Sequence, residues 1–141
     1  MAKVSGRKIP IIKLGHNLII SVQTDLDDAS ALRLQNDVGY EIVRTGASGL
    51  VIDVSAIEIM DSYTARIFND IGKNALLLGA RTVLVGLQPA IAVTLVEMGM
   101  DIDNVETALS LEDGLELLRD NQDDEESENE DISSTTEELE N

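Results

Sequence analysis

A chain of 141 residues with no cysteine, 10 basic side chains, 27 acidic ones and a formal charge of −17 excludes disulfide scaffolds, thiolate metal sites and cysteine nucleophiles. It also lacks the basic surface that nucleic-acid binding requires, and Tyr40, Tyr63 and Phe68 are too few aromatics for base-stacking platforms. The length suits one domain with one core, no apolar run approaches the ~20 residues that span a bilayer, no leader pattern opens the chain, and a reducing cytoplasm fits the composition.

The charge is unevenly spread. Residues 120–141 hold 11 of the acidic side chains and none of the basic ones, so residues 1–119 sum to only −6. Residues 1–8, with Lys3, Arg7 and Lys8 and little apolar content, read as a flexible N-terminal arm. Two apolar runs follow, Ile9 to Leu14 and Asn17 to Val22, separated by Gly15-His16, which predicts a hairpin; Pro10 suits an edge position for its first strand. His16 is the only histidine and, in a turn, is assigned no role.

From Thr24 the period becomes helical, with Ala31, Leu34, Val38 and Ile42 on one face and Gly46 as terminator. Asp25, Asp27 and Asp28 gather at the start of that helix, where acids complement its positive end, and they are read as capping residues rather than metal ligands. Leu50 to Val54 is a continuous apolar run of the kind buried on both faces in a parallel sheet. The helix-then-strand arrangement repeats: Ile67, Ile71, Ala75 and Leu78 form an apolar stripe, Gly79 ends it, and Thr82 to Val85 is the next buried strand.

Pro89 suits the first turn of a short, very apolar helix over Ala90 to Met98, closed by Gly99 and read as core-facing, the alternative being that part of it faces a partner. Val105 to Ala108 predicts a last short strand. Ser110, with Asp113 three residues on, opens a final helix whose Leu111, Leu115 and Leu118 are expected to face inward. The domain thus covers residues 9–119. Residues 120–141, dense in like charge and nearly devoid of apolar side chains, cannot offset their ordering entropy and are expected to be a disordered acidic tail.

The chemistry concentrates between Gly49 and Gly79, where Asp61-Ser62 stands at the start of the second helix. On residue type alone Ser62 reads either as a helix-capping serine or as an exposed hydroxyl open to modification. Thr94 on the short apolar helix is a weaker second acceptor, because a helical threonine commonly bonds back to the preceding turn. Asp53, inside the central apolar run, raises a third possibility, the phospho-accepting aspartate of receiver domains. That chemistry needs further carboxylates at neighbouring strand ends and usually a lysine; the later strand ends in Val85-Gly86 instead. No P-loop, nucleophile elbow or catalytic histidine pairing is present, so the chain is expected not to be an enzyme.

Three stretches, IPIIKLGHNLIISVQTDLDD, VIDVSAIEIMDSYTARIF and VLVGLQPAIAVTLVEMGMDIDNVETALSLEDGLELL, resemble the STAS domain family, and within it the single-domain stressosome scaffolds of the RsbS type. The similarity runs from about Ile9 to Leu118. It implies a STAS fold, an α/β arrangement of a small mixed β-sheet with an N-terminal hairpin and about four helices packed on it. It further implies co-assembly with RsbR-like paralogues in a large complex that sequesters an RsbT-like serine/threonine kinase. Phosphorylation of the serine of the Asp-Ser pair, here Ser62, would release the kinase, and a PP2C-type phosphatase would reverse the mark. Glu58, Asp61 and Tyr63 then become phospho-loop and partner-contact positions. No cofactor, nucleic acid or membrane is implied. The alternative within the family is an anti-anti-sigma factor that binds an anti-sigma kinase directly.

Overall fold

The computed structural model describes residues 6–98 and 104–119. In chain order it shows β1 (Ile11–Leu14), β2 (Asn17–Ser21), α1 (Asp28–Thr45), β3 (Gly49–Asp53), α2 (Ser62–Leu77), β4 (Arg81–Val85), α3 (Pro89–Glu97) and β5 (Glu106–Ala108). A last helix, α4, covers 111–119. The acidic tail, Gly99 and the first five residues of the expected arm lie outside the described residues.

One five-stranded mixed sheet holds the strands in the order β1-β2-β3-β4-β5. The hairpin turns at Gly15, whose φ of 61° is left-handed, and pairs β1 antiparallel with β2; β1 is the sheet edge, as Pro10 suggested. Every later pairing is parallel, because a helix separates each strand from the next and returns the chain to the same end of the sheet. The crossovers all step in one direction, so crossovers of one hand deliver α1, α2 and α3 to a single face.

The register sorts the apolar runs by parity. Ile20, Ile52 and Leu84 lie side by side, as do Leu18, Leu50 and Thr82, and this face meets Leu34, Val38 and Ile42 of α1 and Phe68 and Ile71 of α2 in the main core. Val51, Val83 and Val85 point to the other face, where Leu118 and the half-buried Leu115 of α4 cover them. Phe68, fully buried between α2 and the sheet, is the largest side chain of this core, and its truncation to alanine would cost about 3–5 kcal/mol. Gly72 sits mid-helix in α2 because the chain returning towards β5 crosses there: a Cβ would lie 2.7 Å from the Asn104 carbonyl oxygen.

Four expectations need correction. Leu78, read as the end of the α2 stripe, is the C-cap and is exposed, since the helix stops before another turn can bring it over the core. Leu111 is also exposed; α4 meets the sheet through Gly114, Leu115 and Leu118, further along the helix. In α3 only Ile91 and Leu95 are buried, while Val93 and Val96 are 56% and 77% exposed, so most of this very apolar helix faces outward. Gly6 and Arg7, placed by composition in a loose arm, are held on α1: Arg7 N donates to Ser30 Oγ at 3.0 Å and Arg33 Nη1 to the Gly6 carbonyl at 3.1 Å.

Candidate functional site

At the carboxyl end of β3 the chain leaves the sheet at Asp53, runs through 54–61 and re-enters regular structure at Ser62. The first part of this loop is tied to the sheet. Val54 N donates to the Val85 carbonyl at 2.9 Å, and Asp53 Oδ1 accepts from Ser55 N and Ser55 Oγ at 2.9 and 2.7 Å. Gln88 Nε2, just before α3, donates to the Ser55 carbonyl at 2.9 Å. Gly86, at φ 75°, makes the close approach possible; a Cβ there would lie 2.8 Å from that of Ser55. Asp53, the receiver-like candidate, thus spends one carboxylate oxygen holding its own loop.

In the second part Ile57 and Met60 turn inward and are buried, leaving Glu58 and Ile59 exposed between them, Ile59 at 73%. Every third residue, Val54, Ile57 and Met60, points inward, so the loop presents its side chains to solvent in pairs rather than as a continuous face.

The helix that follows is capped by Asp61. Its backbone is extended (φ −85°, ψ 174°) and its Oδ1 accepts from Thr64 N at 2.8 Å, while Ala65 N reaches its carbonyl at 3.0 Å. This removes one of the two readings of Ser62. Ser62 is not the cap; it is the first helical residue, exposed, and its hydroxyl makes no hydrogen bond among the described residues. Tyr63 follows, 39% exposed, and Thr64 is buried. No acid stands in the first turn of α2.

Glu58, Ile59 and Met60 form one wall of a shallow groove of about 230 Å³, and Ala90, Ile91 and Thr94 of α3 form the other. The two sequence-derived acceptors therefore flank the same loop, though Ser62 itself does not line the groove. They differ in state: Thr94 Oγ1 donates to the Ala90 carbonyl at 2.9 Å, the back-bond expected of a helical threonine, while the Ser62 hydroxyl is unengaged. On the same helix Val93 and Val96 are exposed apolar side chains.

The acidic run at the start of α1 divides its work in a way periodicity could not reveal. Asp27 is the N-cap, accepting from Ser30 N at 2.7 Å; the Ser30 hydroxyl and then its amide hold the Asp27 carboxyl below the ordinary aspartate range. Asp25, also read as a cap, instead accepts from Glu58 N and Ile59 N at 3.0 and 3.3 Å. The only hint in the sequence was the excess: one helix start needs one capping carboxylate, and three were available. Among the described residues no group of three or more metal-ligating side chains converges, and no helix is long and apolar enough to cross a membrane.

Comparison with known proteins matches the STAS domain model to residues 8–114. Among solved structures, a serine-to-glutamate variant of Moorella thermoacetica RsbS is 36% identical with a TM-score of 0.72, covering 81% of this chain and 97% of that one. A chain in a structure of the stressosome, described as a signal integration and transduction hub, is 35% identical with a TM-score of 0.66, covering 79% and 96%. The RsbT co-antagonist protein RsbRA of Bacillus subtilis (strain 168) is 25% identical over 108 residues; the match takes 76% of this chain but spans only 39% of RsbRA.

Proposed function

The chain belongs to the STAS domain family, and on that premise we propose that it is a non-catalytic stressosome scaffold that binds an RsbT-like serine/threonine kinase and releases it when Ser62 is phosphorylated. The observation that carries this reading is the division of labour at the start of α2: Asp61 caps, so the Ser62 hydroxyl is exposed and unengaged. Nothing beside it activates it as a nucleophile, so it serves as substrate for another protein's chemistry.

A phosphoryl group at Ser62 adds roughly −1.5 to −2 charges at the positive end of α2, where the helix dipole favours an anion by about 0.3–1 kcal/mol at an exposed site. Arg66, four residues on, lies on the same side of the helix and is exposed, in reach of such an anion. Glu58 and Asp61 oppose it with like charge. These terms nearly balance within the fold, whereas a partner packed against Ile59, Tyr63 and the outer face of α3 would have to desolvate the new dianion, at far greater cost. Phosphorylation thus spares the domain and breaks the complex.

RsbR-like paralogues are the proposed co-assembly partners, as the similarity to RsbRA and to the stressosome chain suggests, and a PP2C-type phosphatase would reset the serine. The setting is cytoplasmic. Incubation with an RsbT-like kinase and ATP should label the wild-type chain and not Ser62→Ala; equal labelling of the two would remove Ser62 from the mechanism, with Thr94 the next position to substitute. Light scattering of the chain with an RsbR-like partner should give a particle of megadalton scale. A small heterocomplex with an anti-sigma kinase would favour the anti-anti-sigma alternative.

A further inference from the structure

The loop that carries the chain into Ser62 is held from the far side by a residue 33 positions away. Asp25, in the connection between β2 and α1, reaches across with one oxygen and takes Glu58 N at 3.0 Å and Ile59 N at 3.3 Å. Both amides sit in exposed backbone with no strand or helix partner. Asp25 is itself braced, since Arg7 Nη2 donates to its carbonyl at 3.1 Å. Arg7 N in turn is fixed on the buried Ser30, and Gly6 packs so closely on α1 that a Cβ would lie 2.5 Å from the Ala29 carbonyl oxygen. A continuous chain of hydrogen bonds therefore runs from residues 6–7 through Asp25 to a point three residues before Ser62.

Bonds from amides to a carboxylate are roughly twice as strong as neutral ones. If Asp25 let go, water would replace it at both amides, so the domain would lose little. The loop would lose its single position. A partner that must grip Glu58, Ile59 and Ser62 in one arrangement would then find only a fraction of molecules ready, and its apparent affinity would fall by that fraction.

We propose that Asp25 is a positioning residue for the modification of Ser62: by holding the backbone of Glu58 and Ile59 it presents the loop and the serine to the modifying kinase, with Gly6 and Arg7 bracing it. This rests on the reading of Ser62 as phosphoacceptor.

The test is steady-state phosphorylation by an RsbT-like kinase, with the labelled site mapped, for the wild-type chain, Asp25→Ala, Asp25→Asn and Asp27→Ala. Asp25→Ala should raise KM for the chain about tenfold and leave kcat within about twofold, the loss expected for an ordering contact made before chemistry. Asp25→Asn should give a KM between those of the wild type and Asp25→Ala, because the amide oxygen still accepts both N–H groups but without the charge that strengthens the bonds. Asp27→Ala removes the neighbouring cap without touching the loop, so KM should stay within about twofold. Amide exchange supplies a kinase-free readout: Glu58 and Ile59 should exchange faster in Asp25→Ala alone, with α2 protected as before. A wild-type KM in Asp25→Ala with label still on Ser62, or an equal rise in Asp27→Ala, would overturn the assignment and leave the phosphoacceptor intact. A wild-type chain labelled elsewhere than Ser62 would overturn both.

Discussion

α1 and α2 begin with the same device and present different surfaces. Each starts behind an aspartate in extended backbone, Asp27 or Asp61, and each aspartate takes the amide of the third helical residue, Ser30 at 2.7 Å or Thr64 at 2.8 Å. Both of those residues are buried, at 0% and 3% exposure. The difference lies at the first helical position and in what covers it. α1 has Asp28 there, an acidic side chain, and the start of α1 is overlaid by Gly6 and Arg7. α2 has Ser62, and its start lies open. On the proposal above, a phosphoryl group on Ser62 would put an anion at the first position of α2 where α1 has one by sequence, so the fold is expected to tolerate it and the effect to fall on partners.

The largest expected effect comes from placing the same bulky side chain at each serine. Ser30→Leu overfills the site beneath Arg7 and leaves the Arg7 amide without its acceptor, so urea denaturation should show a loss of about 1–3 kcal/mol. Ser62→Leu, at an exposed position with no contacts to lose, should stay within about 0.5 kcal/mol of wild type. Equal losses would mean that the start of α2 is as enclosed as that of α1.

The caps come next. Asp61→Ala removes one side-chain bond and should lower stability by about 1 kcal/mol, with the urea m-value unchanged. Asp27→Ala should shift the midpoint further, because the Ser30 that Asp27 holds is fully buried and in turn accepts from Arg7 N. The reverse order would show that the two caps are not equivalent in the way their geometry indicates.

The smallest effect is on pH dependence. Ser30 holds the Asp27 carboxyl below its ordinary value, so Asp27 stabilises the fold above the unfolded aspartate pKa and loses that contribution as pH falls through its lowered folded value. Thermal unfolding of Asp27→Asn should therefore fall less steeply than wild type below about pH 4. Ser62→Ala should keep the wild-type acid limb, and a limb equally steep in Asp27→Asn would sever the cap from the acid response.

Much of this molecule was legible before folding. The two apolar runs of the hairpin around Gly15-His16, the helical spacing of Leu34, Val38 and Ile42, and the unbroken apolar runs at Leu50–Val54 and Thr82–Val85 each match the element found. Periodicity works for such segments because the face a residue occupies follows from its position in the repeat. It fails for α3, where Val93 and Val96 are as apolar as Ile91 and Leu95, yet only the latter two are buried. Hydrophobicity records what a side chain can bury, and the number of neighbouring elements decides what it does bury. Leu78 and Leu111 are the same case at helix ends.

The elements, their alternation, the Asp-Ser pair at the head of the second helix and the family resemblance follow from residue order, because all of them are local in the chain. Only the tertiary structure decided that Asp61 and not Ser62 is the cap, since the two assignments differ by one residue of backbone geometry rather than by composition. It alone separated Asp25 from Asp27, neighbours in one acidic run, by bringing the backbone of Glu58 and Ile59 within reach of the first and Ser30 within reach of the second. A carboxylate accepts whatever donors the fold delivers to it, and that delivery depends on residues 33 positions away.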